Sequence, residues 1–88
     1  MQTEIYYVYV IQSQKDGRLY VGMTKHINER LKEHNSGQVF STKSYRPWKL
    51  FYSEEIGDRQ KAREREKYLK SGCGKEFLKK LYSAIAQR

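Results

Sequence analysis

The sequence predicts an α+β fold: a three-stranded antiparallel sheet flanked by helices, in the order β-β-α-β-α-α. Three observations carry it. Residues 5–11 are an unbroken β-branched and aromatic run, closed soon afterwards by an Asp-Gly turn. The apolar period then lengthens from two residues to about 3.6. A third strand-like run at residues 48–52, after the hairpin, is followed by two further helical segments. With so few strands and short connections, a helix-covered antiparallel sheet is the simplest way to bury every apolar face.

The elements follow in order. Ile5-Tyr6-Tyr7-Val8-Tyr9-Val10-Ile11 has no polar alternation, so it reads as a strand buried on both faces and central in its sheet. Lys15-Asp16-Gly17-Arg18 is the turn. Leu19-Tyr20-Val21-Gly22 is the antiparallel partner, with Leu19 and Val21 on one face and Tyr20 and Gly22 on the other. Thr24 is read as the N-cap of a helix running to Asn35, with Gly37 ending it. Residues 36–48 form a loop holding the only proline, Pro47, and Trp48–Tyr52 is the third strand. Asp58 is read as the N-cap of a helix through about Lys70, broken by Ser71-Gly72-Cys73-Gly74. A last helix sets Phe77, Leu78, Leu81, Tyr82 and Ile85 on one structural face.

Composition bounds the function. The 88 residues read as one domain, 1–88, with room for one core and one site. At this size folding removes roughly 60–65% of the chain's surface from water, so stability is modest. Leu, Ile, Val and Phe total only 18, but twelve aromatic residues argue against disorder. The net charge is +8, with +2 in residues 1–44 and +6 in residues 45–88. That favours a polyanionic partner, nucleic acid above all. No apolar run suits a membrane span and no signal peptide is visible, so the expectation is a cytoplasmic protein without membrane contact. The lone Cys73 excludes an intrachain disulfide, and no Cys/His set has zinc spacing.

Residues out of place point to chemistry. Ala62, Glu66, Leu69 and Cys73 lie at i, i+4, i+7 and i+11, a core-facing stripe with a carboxylate inside it. Such a group loses hydration unless it meets a cation, a metal or several donors. Pairing with a neighbouring Arg or Lys is the bland alternative. In the first helix Ile27, Arg30, Leu31 and His34 form an i, i+3, i+4, i+7 set that mixes two apolar anchors with two groups able to engage phosphate. Here the bland reading is an Arg packed along its stem and a surface His. Tyr9 and Tyr20 can face each other across the hairpin, as an ordinary aromatic pair or as part of a site. Together, a hard carboxylate for Mg²⁺, a guanidinium for phosphate and phenols beside an imidazole supply what phosphodiester hydrolysis requires.

At these residues the chain resembles the GIY-YIG nuclease domain in its small single-domain bacterial form. The second family motif stands as Tyr20-Val21-Gly22 and the first as Tyr7-Val8-Tyr9, with Tyr7 where the family has glycine. Arg30 and His34 match the family arginine and histidine, and Glu66 its metal-binding glutamate. The resemblance runs from Tyr6 to about Leu81. It implies the same β-β-α-β-α-α fold. It also implies a Mg²⁺-dependent (or Mn²⁺-dependent) DNA endonuclease with Tyr9, Tyr20, Arg30, His34 and Glu66 in the catalytic site. Tyr9 with His34 is then the base pair and Tyr20 a positioning group. Lys25, Asn35, Thr42, Lys43, Tyr45 and Arg46 are expected to line a groove for the nucleic-acid backbone, giving affinity without sequence choice. No sequence-reading element is visible, so a branched, nicked, single-stranded or flapped substrate is expected. RNA is a weaker possibility. The rival reading is a non-catalytic nucleic-acid-binding module, or a nuclease subunit that needs a protein partner.

Overall fold

The structure, a computed structural model, describes residues 4–86. Its elements are β1 (Tyr6–Ser13), β2 (Leu19–Thr24), α1 (Ile27–Ser36), a 3₁₀ turn (Lys43–Tyr45), β3 (Trp48–Gly57), α2 (Arg59–Lys70) and α3 (Gly72–Ala86). The sheet is antiparallel throughout with strand order β2-β1-β3. This is the predicted α+β fold, with the predicted element order.

The central strand explains the architecture. Alternate β1 side chains enter two separate cores. Val8 and Val10 pack with Val21, Ala62, Leu69 and Leu78, the core beneath α2 and α3. Tyr9 and Ile11 pack with Trp48, Tyr20, Ile27 and Leu31, the core beneath α1. The sheet therefore has a helical layer on each face. The faces of β2 fall as read from the sequence: Leu19 and Val21 join the first core, Tyr20 the second.

Several boundaries differ from expectation for identifiable reasons. Thr24 closes β2 and caps no helix; its hydroxyl takes the His26 N–H at 3.1 Å and His26 holds the N-cap position. Gly37 does end α1, at φ 86°, with its N–H and that of Gln38 satisfying the His34 and Glu33 carbonyls. Any side chain at Gly37 would also meet the Arg46 guanidinium at 2.8 Å. Strand β3 continues five residues beyond Tyr52. Its polar stretch is stabilised by Arg65 of α2, which donates to both Glu54 oxygens at 2.7 and 2.8 Å. That guanidinium holds the Glu54 carboxyl below the usual carboxylate range.

Only Ser71 separates α2 from α3, so Gly72, Cys73 and Gly74 belong to the first turn of the last helix. Cys73 consequently leaves the α2 stripe and is exposed. Gly74 takes the inward place: a Cβ there would collide with the Tyr68 carbonyl oxygen. On α3, Phe77 and Leu78 enter the first core, while Tyr82 and Ile85 remain about half exposed, so the expected structural face is only partly covered. No helix among the described residues is long and apolar enough to cross a membrane.

Asp58 does cap α2, its Oδ1 accepting the Gln60 N–H at 2.7 Å. Asp58→Ala should lower unfolding free energy by about 1 kcal/mol, as loss of an N-cap acceptor ordinarily does. Urea unfolding of the two proteins checks it, and equal midpoints with equal slopes would remove the cap from the stability account.

Candidate active site

The site is assembled on the α1 side of the sheet. Tyr9 of β1 lies opposite Gly22 of β2, and Tyr20 lies opposite Ile11, so the two tyrosines are diagonal neighbours on one face. The Tyr9 ring passes directly over Gly22: a Cβ at Gly22 would stand 2.5 Å from the phenolic oxygen. The absent side chain lets the phenol reach α1, where its oxygen lies 2.9 Å from His34 Nε2. His34 is fully buried. Its ring is enclosed by Tyr9, Tyr20 and Trp48, with centroids 5.8, 5.1 and 6.5 Å away.

The hydrogen bonds fix the histidine tautomer. The Thr42 hydroxyl donates to the Val39 carbonyl at 3.3 Å, which leaves its oxygen to accept from His34 Nδ1 at 2.8 Å. With Nδ1 carrying the proton, Nε2 is bare and accepts the Tyr9 O–H. The result is a directed chain, Tyr9 to His34 to Thr42 to the Val39 carbonyl. Burial pushes the Tyr9 phenol above its ordinary pKa, with the Arg30 guanidinium opposing that shift and the Tyr20 and Glu66 charges adding to it. Burial also pushes His34 down to about 4, and the positive charge of Arg30 adds to that. Both groups are thus neutral at pH 7.

Arg30 projects from α1 and donates to Glu33 Oε1 at 2.7 Å, and it remains about one-third exposed. Glu66 comes from α2, in the layer on the opposite face of the sheet. Its side chain is 17% exposed and pairs only loosely with the exposed Lys70, at 3.3 Å. Its charge is nevertheless felt at the Tyr9 phenol. Among the described residues, no three His, Cys, Asp or Glu gather into a metal cage. A half-buried single carboxylate suits a hard divalent cation that completes its shell with water and phosphate oxygens.

The expected groove residues divide. Lys43, Tyr45 and Arg46 lie on the loop that follows α1, with Tyr45 half-buried under the Arg18 guanidinium at 3.6 Å. Arg46 is tied through Nε to the Lys43 carbonyl at 2.7 Å. Lys25 sits elsewhere, paired with Glu4 at 2.6 Å. One residue is corrected. Thr42 is 1% exposed, so it lines no groove; it orients His34 from behind. Asn35 is exposed beside Lys43 and Arg46, and both ends of its amide also bind the Trp48 backbone, at 2.6 and 2.9 Å, tying α1 to the start of β3. Trp48 was not among the expected site residues, yet it walls His34 and donates its indole N–H to the Thr42 carbonyl at 2.8 Å. Its place at the end of a polar loop was the available signal.

Burial of neutral His34 makes stability pH-dependent. The unfolded histidine titrates near ~6.5 and the folded one at about 4. Between those values the unfolded chain binds a proton that the folded chain refuses. The contribution is therefore complete above pH ~6.5 and is lost as pH falls toward 4. The expected loss at pH 5 relative to pH 7.5 is about 2 kcal/mol more for the wild type than for His34→Gln, read by urea unfolding at both pH values. Parallel pH profiles for the two proteins would show that His34 is not the group responsible.

Comparison with known proteins agrees with this architecture. The GIY-YIG catalytic domain family matches residues 5–80. A UPF0213 protein of Bacillus licheniformis is 41% identical over 71 residues, covering 80% of this chain and 72% of the relative. A UPF0213 protein of Staphylococcus saprophyticus is 37% identical over 75 residues, covering 84% and 90%. The solution NMR structure of a UPF0213 protein from Bacillus halodurans superimposes with a TM-score of 0.53 at 30% identity, covering 88% of this chain and 84% of that one. The match spans both tyrosines, the arginine, the histidine and the glutamate, and the chain belongs to the GIY-YIG nuclease family.

Proposed function

We propose that this protein is a divalent-metal-dependent endonuclease that hydrolyses DNA phosphodiester bonds, selecting substrates by structure more than by sequence. The observation that carries the reading is the Tyr9–His34–Thr42 chain with the charges of Arg30 and Glu66 acting on its phenolic end. Glu66 is the residue that would hold Mg²⁺ or Mn²⁺, and the bound ion would supply charge stabilisation at the scissile phosphate and the leaving 3′ oxygen.

The protein's own groups have separable tasks. Arg30 neutralises the phosphoryl oxygens. Tyr9 accepts a proton from the attacking water as it passes its own to His34 Nε2. The net transfer is from water to imidazole, and no free phenolate is required. His34 is a weak base while no phosphate sits on Arg30. A phosphate seated on Arg30 cancels part of the positive field that depresses the imidazole, so substrate binding itself raises its basicity. Thr42 keeps Nε2 aimed at Tyr9. Tyr20, beside the same imidazole, positions the water or the phosphate.

The test is cleavage by the purified protein of labelled duplex, nicked, branched and single-stranded DNA and of RNA, with Mg²⁺ and with a chelator. Metal-dependent cutting of one or more DNA forms is expected. Salt-sensitive binding without cleavage of any substrate would instead support a binding module or a partner-dependent subunit.

A further inference from the structure

The most exposed large apolar side chain among the described residues is Phe40, at 83%. It is not on a frayed segment. Phe40 and Ser41 form the tip of a turn whose ends are fixed: the Val39 carbonyl accepts the Thr42 and Lys43 N–H groups at 3.1 and 3.0 Å. Thr42 is buried against His34, and its carbonyl takes the Trp48 indole. A rigid turn thus holds an aromatic ring out in solvent, two hydrogen bonds from the Tyr9 phenol.

The surroundings of the ring are cationic. Lys43 Nζ lies 5.2 Å from its centroid. From Gln38 to Lys49 the chain has no acidic residue and three basic ones. Beside the turn, Lys15, Asn35, Lys43, Ser44, Arg46 and Pro47 line an open cleft of about 520 Å³. A flat apolar face flanked by ammonium and guanidinium groups matches a nucleotide: a base for the ring, a phosphate for the cations.

We propose that Phe40 is a stacking platform for an unpaired base, with Lys43 and Arg46 taking its flanking phosphates. The inference rests on the nuclease reading and adds to it the selecting element. A base inside an intact duplex has no free face for Phe40, whereas one in a single strand, gap or flap does. The loop then favours strands that can open, and it holds them against the side of the site that orients His34.

The experiment measures affinity with the full chain in a chelator, so that no strand is cut. The probes are a short single-stranded oligodeoxynucleotide carrying 2-aminopurine and the fully paired duplex of the same sequence. Phe40→Ala should weaken the single strand by about tenfold, abolish the 2-aminopurine quenching, and leave the duplex within twofold. Phe40→Trp should restore both affinity and quenching. Equal weakening of both probes, or no change in either, overturns the platform. In the second case Phe40 serves a protein or lipid surface instead. Absence of binding to either probe by the wild type, with no metal-dependent cleavage, overturns the nuclease reading as well; binding that ignores Phe40 overturns only this proposal.

Discussion

Glu66→Gln should reduce cleavage by at least roughly a hundredfold while leaving nucleic-acid binding unchanged or tighter. The two effects have different origins. The charge of Glu66 reaches the Tyr9 phenol, and among the described residues no three His, Cys, Asp or Glu gather into a cage. A metal there would be held by the Glu66 carboxylate, and an amide is a much poorer donor to a hard cation. Losing several kcal/mol of charge stabilisation at the phosphate corresponds to two or more decades in rate. Binding moves the other way. The substitution removes a half-buried negative charge near the phosphate and frees Lys70, whose ammonium now lies 3.3 Å from that carboxylate. The shape of the side chain is kept, so the fold should survive. Cleavage assays beside filter binding or anisotropy on the same DNA read both effects. A parallel loss of cutting and binding, in a protein with unchanged circular dichroism, would make Glu66 a structural residue.

The parts of this site that were legible in the sequence are those governed by local period. Arg30 and His34 share a face because they are one turn apart, and Ala62, Glu66 and Leu69 share another for the same reason. Tyr9 and Tyr20 share a sheet face because the Asp-Gly turn fixes the hairpin. The remainder depends on contacts distant in sequence. Thr42 looks like one more polar loop residue until the loop folds back on α1 and presents its hydroxyl to His34. Asn35 is an exposed helix residue, and its tie to the Trp48 backbone exists only because β3 begins beside it. The continuation of β3 through Ser53, Glu54 and Glu55 has no strand-like composition; Arg65, eleven residues beyond Glu54, makes it tolerable. Cys73 fails for a geometric reason, because a helical stripe cannot be extended through Ser71, where the axis breaks. The family resemblance supplied what spacing could not, namely that these separate pairs meet in one place.

Gly22→Ala tests that meeting place most directly, because it alters the site without removing any chemical group. The added carbon would stand 2.5 Å from the Tyr9 oxygen and 2.6 Å from its Cζ, inside contact distance. Strand β2 cannot retreat easily, since Val21 beside it is buried in the other core. The Tyr9 ring must move instead, and it leaves the 2.9 Å contact with His34 Nε2. Overpacking of this kind costs about 1–3 kcal/mol of stability. The expected result is a folded but weakened protein whose cleavage falls by roughly a hundredfold, the range associated with losing a general base. Tyr9→Phe should show a comparable rate loss with a smaller structural change, since its ring still fits over Gly22. A second readout separates displacement from simple destabilisation. In the wild type His34 titrates at about 4 because it is sealed beneath Tyr9. Once the ring is pushed aside water reaches the imidazole, and its titration, followed by NMR, should rise toward the ordinary value near ~6.5. Full cleavage by Gly22→Ala, with the His34 titration raised toward its ordinary value, would show that the Tyr9–His34 contact is not required for turnover, and the proton route would have to run through Tyr20.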